Sequence, residues 1–482
     1  MKTLENRSLT ILDVEQENDS RFWRQLMVIY VSTYSLGLFF PVQYFWDDWM
    51  FYFDKTAEQI RGSSGAFSGF SPVRLLLEGY LVQVNPWTLH LLSFILFPVA
   101  AWSLKQVLNT IKNLAPWEKR AIVALFLLLP LNSARHSLTI FMYTFCNACF
   151  FAGWWFYAKG RNRISKVVAL TLFLMSFDTA SFIVFSIVPI ALGVTGSLGS
   201  KNSISKFFFR NLPFLVAPLA YWFIEPLFNP NLDPVRDEYY TPKTSGILRS
   251  LTIGFIMVAA TTYGFVKRKW SYESSRGQIQ IAVGLGLLWL GVFPYMALGH
   301  FANLHSLLIG LVPGESDWDS RHQLLTPLGL SLLFVGVINY FQVTKRGQLM
   351  KFAIVICAVL SFTFTHEYYL DSIKTQGVIT AFSELELPRS TDSVFIDDQA
   401  TRFNARGRRI RPYEWDGMMK MATKSSSIKT DVIGFIDCVT TDPDFVLTIG
   451  STHGRLRTLV TRDAGITIKS HPVIACSKTA SE

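Results

Sequence analysis

Residues 138–157 read LTIFMYTFCNACFFAGWWFY, twenty consecutive positions without a charged side chain. A perpendicular helix needs about 20 apolar residues to cross the roughly 30 Å hydrocarbon core of a bilayer, and this stretch supplies them. Further apolar runs lie near 24–42, 86–104, 120–133, 165–177, 179–196, 207–228, 248–266, 279–298, 323–342 and 350–366. Those at 120–133 and 165–177 are short for a span, so each is either re-entrant or part of one longer helix. Composition agrees. Half of the 482 residues are hydrophobic, 17% are charged, and there are 40 Phe and 13 Trp, whereas a soluble domain carries about a quarter charged residues. The fold class expected is an α-helical polytopic membrane protein.

The net charge of +10 does not point to nucleic acid. From Glu367 to the end, 15 Lys and Arg stand against 15 Asp and Glu, so the basic excess lies upstream, among the apolar runs. It gathers at Lys105/Lys112/Lys119/Arg120, Lys159/Arg161/Arg163/Lys166, Lys201/Lys206/Arg210, Lys267/Arg268/Lys269 and Lys345/Arg346/Lys351, with Arg21 and Arg24 before the first run. Basic residues in short loops mark the cytoplasmic side. If all these clusters share that side, an even number of crossings separates each from the next. The expectation is about eleven spans over 24–366, a cytoplasmic segment 1–23 and a carboxyl terminus on the outside. The polar amino terminus lacks a basic n-region and a small-residue cleavage site, so the first span is expected to direct insertion.

Beyond the last run the hydropathy collapses. Short β-branched stretches (VFID, DVIGFIDCV, DFVLTIG, RTLVT, GITIKSHPVIAC) alternate with Gly, Asp and Pro, a pattern of strands and turns. Residues 371–482 are expected to form a small β-rich outside domain, where a disulfide between Cys438 and Cys476 is permitted. Cys146 and Cys149 form CNAC inside an apolar helix, where packing outweighs a redox or metal role; Cys357 reads the same way.

The outside segments hold the candidate chemistry. The first, 43–85, opens YFWDDWMFYFDK: adjacent Asp47 and Asp48 amid Tyr44, Phe45, Trp46, Trp49, Phe51 and Tyr52, rings expected at headgroup level. A Gly/Ser loop and Ser71-Pro72 then start a helix carrying Arg74 and Glu78, so two interfacial helices are expected. A carboxylate in a partly dry setting is costly unless paired or used, which favours function over helix capping for Asp47 and Asp48. Asp178, in MSFDTAS, divides evenly between sugar or acceptor binding and capping of the helix that follows. Arg135-His136, in the tight outside turn LNSARHS, and Arg321-His322 sit at outside span starts, where Arg meets lipid phosphate; snorkelling and loop pairing explain them equally well. His300 and His305 lack a clear third ligand nearby, so a metal site is the weaker reading there. Arg402, Arg406, Arg408, Arg409 and Arg411 read as a solvated or headgroup-facing basic patch, with an anionic glycan as the alternative contact.

With its acidic pair just after the first span, the chain resembles the GT-C superfamily of integral-membrane glycosyltransferases. These take a sugar from a polyprenyl phosphate and use an acidic residue in a first outside loop built of two juxtamembrane helices. The resemblance covers the spans to about residue 366, mainly in layout, and its residue-level anchor is Asp47-Asp48. The WWD tripeptide of the oligosaccharyltransferase branch is absent, and LNSARHS carries Arg and His where that branch has metal-binding acids. The resemblance therefore implies an inverting, metal-independent transfer of one hexose or pentose from a polyprenyl-phosphate donor. Asp47 and Asp48 would be catalytic, with Arg74, Glu78, Arg135, His136, Asp178, Arg321 and His322 on the substrates. No cofactor is expected, although a divalent metal is not excluded. O-antigen, another envelope glycan or a pilin-like protein is the acceptor implied, at the periplasmic face of a bacterial inner membrane. The alternatives are a lipid-linked glycan flippase or transporter, and a surface-glycan polymerase or ligase.

Overall fold

The computed structural model describes residues 19–49, 85–111, 114–160, 162–195, 211–221, 223, 243–266, 272–298, 323–385, 393–423, 429–432 and 445–472. They are mostly helical. The bundle comprises α1 (19–34), α2 (Pro86–Thr110), α3 (Pro116–Leu128), α4 (Phe141–Lys159), α5 (Arg163–Ser176), α6 (Ala180–Phe185), α7 (Ile187–Thr195), α8 (Asn211–Tyr221), α9 (Thr244–Val266), α10 (Tyr272–Ala297), α11 (Thr326–Tyr340) and α12 (Arg346–Ser383). Short 3-10 turns occupy Ser35–Phe39, Trp46–Asp48, Ser133–His136 and Leu138–Ile140.

The expected eleven spans are corrected. Among the described residues four helices are long and apolar enough to cross a membrane: Pro86–Thr110, Leu138–Lys159, Arg276–Ala297 and Arg346–Ser383. The expected spans at 120–133, 165–177 and 323–342 fall on helices of 13, 14 and 15 residues. Thirteen residues rise only about 20 Å. The run at 179–196 is divided at Ser186 into two short helices, α6 and α7, and the first run leaves the α-helix at residue 34. Beyond α3 the chain leaves the α-helix and runs on through a 3-10 turn. After Leu128 it continues through LPLNSARHS, in which Leu131, Asn132, Ser133, Ala134, His136 and Ser137 are all buried. The tight outside turn expected here is thus a buried, irregular segment, which apolar surroundings tolerate only where protein encloses it.

Charge separates the two ends of the bundle. At one end Asp19 pairs with Lys105 at 3.3 Å and Arg120 at 3.1 Å, and Arg346 lies over the Trp117 ring. Glu118 is enclosed there by Arg276, Gln280 and Asn339. The opposite end carries Asp47, Asp48, Arg135 and the start of the sheet domain. Close packing of α10 on α11 relies on small residues. Gly277, Gly284 and Gly291 recur every seven positions on α10 and face α11; a Cβ on Gly284 would lie 2.8 Å from the backbone N of Leu333. Between apolar helices in lipid, such close backbone approach supplies much of the attraction. The CNAC thiols and Cys357 are buried and unbridged in their helices.

After α12 comes a four-stranded sheet of order β2-β1-β3-β4, built from β1 (Ser393–Asp398), β2 (Lys429–Val432), β3 (Phe445–Ser451) and β4 (Ile466–Pro472). β1 pairs in parallel with β2 and β3, and β4 is antiparallel to β3. The parallel β1–β2 pair requires a crossover, and α13 (Pro412–Thr423) lies on it. RTLVT, expected as a strand, is instead the core of α14 (Arg455–Thr461); its β-branched content is outweighed by the backbone geometry between β3 and β4. The β-rich expectation thus becomes a mixed α/β unit. Its boundary with the bundle, expected between 366 and 371, falls inside one unbroken helix of 38 residues. Phe352, Val355, Val359 and Phe362 of α12 are exposed apolar side chains, whereas Tyr368, Leu370, Ile373, Val378 and Phe382 are buried. Cys438 and Cys476 lie outside the described residues.

Gly284→Val is expected to lower stability by about 1–3 kcal/mol through overpacking. Gly286→Ala, where an added Cβ meets nothing within 4 Å, should instead raise stability by about 0.5–1 kcal/mol through helix propensity, read as the melting temperature of the detergent-solubilised protein.

Candidate functional site

The structure divides the aspartate pair. Asp48 is fully buried, and its carboxylate accepts from the backbone N–H groups of Phe45 (2.9 Å), Leu138 (2.8 Å) and Thr139 (2.8 Å) and from the Ser137 hydroxyl (2.5 Å). Burial pushes this carboxyl up to about 7, while the donors from Ser137, Thr139, Leu138 and Phe45 pull it back. Asp48 ties the Trp46–Asp48 turn to the 3-10 turn at Leu138–Ile140. Asp47, one residue earlier, points elsewhere. It is half-buried, and its Oδ1 accepts a 2.8 Å hydrogen bond from the Tyr413 hydroxyl of α13. Burial, then the Asp47 charge, raise the Tyr413 pKa, which keeps that hydroxyl protonated and donating.

Of the surrounding rings, Tyr44 is half-buried, and Phe51 and Tyr52 lie outside the described residues. Phe45, Trp46 and Trp49 are buried in protein. Trp49 packs with Leu370, Val378, Val394 and Trp415 in the core of the sheet domain, and Trp46 with Tyr368 and Ile373 of α12. Trp46 has φ of +54°, a left-handed conformation that is costly for a bulky side chain. Its N–H donates to Glu414 at 3.1 Å and its ring faces the Arg408 guanidinium at 4.7 Å.

That guanidinium corrects the basic-patch expectation in part: Arg402 and Arg409 are exposed, but Arg406 and Arg408 are not. Arg408 is 2% exposed and Arg406 5%. Arg408 donates to both Glu414 oxygens (2.9 and 2.7 Å) and to Asp371 through Nε (2.9 Å). Burial opposes its charge, but Asp371 and Glu414 outweigh burial and hold its pKa well above normal. Asp371 also accepts from the Ala405 N–H. Nearby, buried Lys374 donates to both Asp398 oxygens and to Asn404. Arg406 stacks at 3.7 Å on Phe364 while its N–H donates to Glu367. Three segments are thereby locked together: α12, the 402–414 loop and the aspartate turn.

Arg135 and His136 flank this lock from the bundle side. His136 is buried beside Phe40 and Tyr368, with Nε2 3.3 Å from the Thr365 hydroxyl. Burial, then Arg135 and His90, hold its pKa well below normal, so it is neutral. Arg135 lies over the rings of Phe97 (3.7 Å) and Tyr34 (3.9 Å) and donates to the Tyr30 hydroxyl at 2.9 Å. Among the described residues it has no carboxylate partner. Asp178 sits half-buried between α5 and α6; the cap of α6 is Thr179, without a side-chain cap bond. Arg74, Glu78, His300, His305, Arg321 and His322 lie outside the described residues. Asp371, Lys374, Tyr413 and Glu414 were not singled out in the sequence, because their partners are distant in the chain. A carboxylate three residues into a predicted helix start, as Glu414 is, was the available signal.

No protein-family model and no curated protein matches this chain.

Asp48→Asn is expected to destabilise the folded protein by about 2–4 kcal/mol, since the amide nitrogen cannot accept from the N–H groups that face it. Arg408→Met should cost about 3–5 kcal/mol by leaving two buried carboxylates without their cation. Thermal unfolding of the solubilised full chain checks both.

Proposed function

We propose that this protein is an inverting glycosyltransferase that moves a single sugar from a polyprenyl-phosphate donor to an envelope acceptor. The observation that carries the reading is Asp47, a half-buried carboxylate oriented by Tyr413 on a turn immobilised by Asp48. An aspartate held this way serves as a general base. It takes the proton of an acceptor hydroxyl as that oxygen attacks the anomeric carbon. The bond to the phosphate oxygen breaks on the opposite face, inverting the centre, and the polyprenyl phosphate leaves as an anion. Arg135, a cation on an aromatic wall, is placed to receive that anion's charge, with Arg321 the alternative. Asp48 has a supporting role here, because its oxygens already accept four protein donors. The sided arrangement that goes with this reading puts the basic end of the bundle in the cytoplasm and the sheet domain in the periplasm of a bacterial inner membrane. O-antigen, another surface glycan or a pilin-like protein is the acceptor class.

A translocating protein is the second reading. It is favoured by Glu118, an ionisable side chain 1% exposed where α3, α10 and α11 meet at the basic end of the bundle, since enclosed charges between membrane helices often mark transport paths. Purified protein given a short-chain polyprenyl-phosphate sugar separates transfer from movement without turnover.

Asp47→Asn is expected to lose about two to four orders of magnitude in transfer, the scale of a missing general base, with unfolding temperature and donor binding nearly unchanged. Arg135→Ala should raise the donor KM or slow turnover by about one to three orders of magnitude. Wild-type rates for Asp47→Asn would overturn the reading. So would reporter fusions after Glu367 that read cytoplasmic.

A further inference from the structure

Helix α14 presents an apolar face that is exposed among the described residues. Leu456 is 77% exposed and Val460 75%, with Leu459 beside them; Thr458 is its buried residue. At about 100° per residue, Leu456, Leu459 and Val460 fall on one arc that points directly away from Thr458. Arg455 and Arg457 flank that arc on its two sides. Apolar residues centred between cations are the arrangement of a helix lying in a membrane interface, its rings or aliphatics among the acyl chains and its Arg groups at the phosphates.

The position of α14 agrees with that occupant. It packs on α12, and the Arg455 charge reaches His366. His366 stacks on Phe362, the last strongly exposed apolar side chain of the α12 stretch that is apolar enough to cross a membrane. The exposed face therefore lies where the apolar surface of α12 gives way to polar surroundings. Arg402 is also close, held by the Ser451 and His453 carbonyls and accepting on its own carbonyl from Arg455.

We propose that α14 is a membrane-docking helix: Leu456, Leu459 and Val460 insert into the adjacent leaflet of the bilayer the protein spans, and Arg455 and Arg457 bind anionic phospholipid headgroups. This docking is independent of the transfer reaction and depends only on the chain spanning a membrane. It gives the sheet domain a second foothold besides α12, which fixes the orientation of the domain about the helix axis and so the side on which α13 meets Asp47.

The test uses the full-length protein in nanodiscs of phosphatidylcholine and phosphatidylglycerol. Val460→Cys and, as an outward-facing control on the same helix, Thr461→Cys carry an environment-sensitive fluorophore, with the unsubstituted protein as background. The Val460 probe is expected to be bleached by aqueous dithionite at least about fivefold more slowly than the Thr461 probe, and to be quenched by lipid spin-labelled near the headgroup, as interfacial burial requires. Omitting phosphatidylglycerol should narrow the difference. Equal bleaching of the two probes would overturn the proposal. Shielding of Val460 without lipid quenching would also overturn it, since a second copy or another protein would then cover the face.

Discussion

The buried guanidinium of Arg408, shared between Asp371 and Glu414, is the contact on which the sheet domain and the Asp47 turn depend. Each carboxylate belongs to a different segment, and each has a further duty. Asp371 holds the Ala405 N–H and Glu414 the Trp46 N–H. A cation taken out of water is tolerated only with such full pairing, and removal of one member strands the others. The stabilisation it brings over an apolar substitute is small. What it adds is geometric: a left-handed Trp46, a fixed 46–48 turn and a single orientation for Asp47.

Division of labour between neighbouring carboxylates follows from that geometry. In a 3-10 turn successive side chains leave in different directions, so Asp48 reaches inward to the 137–139 backbone while Asp47 reaches sideways to Tyr413. One aspartate spends its acceptor capacity on protein donors and rigidifies the other. An arrangement built this way keeps the Asp47 carboxylate oriented by a shell that is itself locked by packing, and Tyr413 of that shell comes from the far end of the chain.

Some of this was legible in the sequence. Membrane class followed from charge-free runs such as 138–157, and the Asp47-Asp48 pair and the LNSARHS turn both stood out as polar groups in apolar company. Their connection did not, because Asp48 is bound by the backbone of residues 138 and 139, and every residue type carries an N–H. Five arginines in ten positions look solvated; only the pairing of Arg408 with Asp371, 37 positions earlier, shows why it is inside. The span count overshot because hydropathy registers apolarity, not helix length: α3 is enclosed by neighbours, α5 exposes Ile164, Val167 and Leu174, and both stop well short of a bilayer's width. RTLVT misled for a related reason, since β-branched side chains describe a preference that three-dimensional context overrides.

The continuity of α12 has a mechanical side. At 1.5 Å per residue its 38 residues make a rod of about 57 Å, roughly half of it matched to lipid and half to the sheet domain. There is no hinge along it at which the domain could settle independently. The height of Asp47 above the hydrocarbon is then set as on a ruler, by the same helix that must match the bilayer's thickness. A thicker or thinner membrane tilts or sinks that helix at modest cost per ångström, and the tip, at the end of a long arm, moves further than the part in lipid. Bilayer thickness thereby becomes a physical variable acting on the outer site, without any ligand bound.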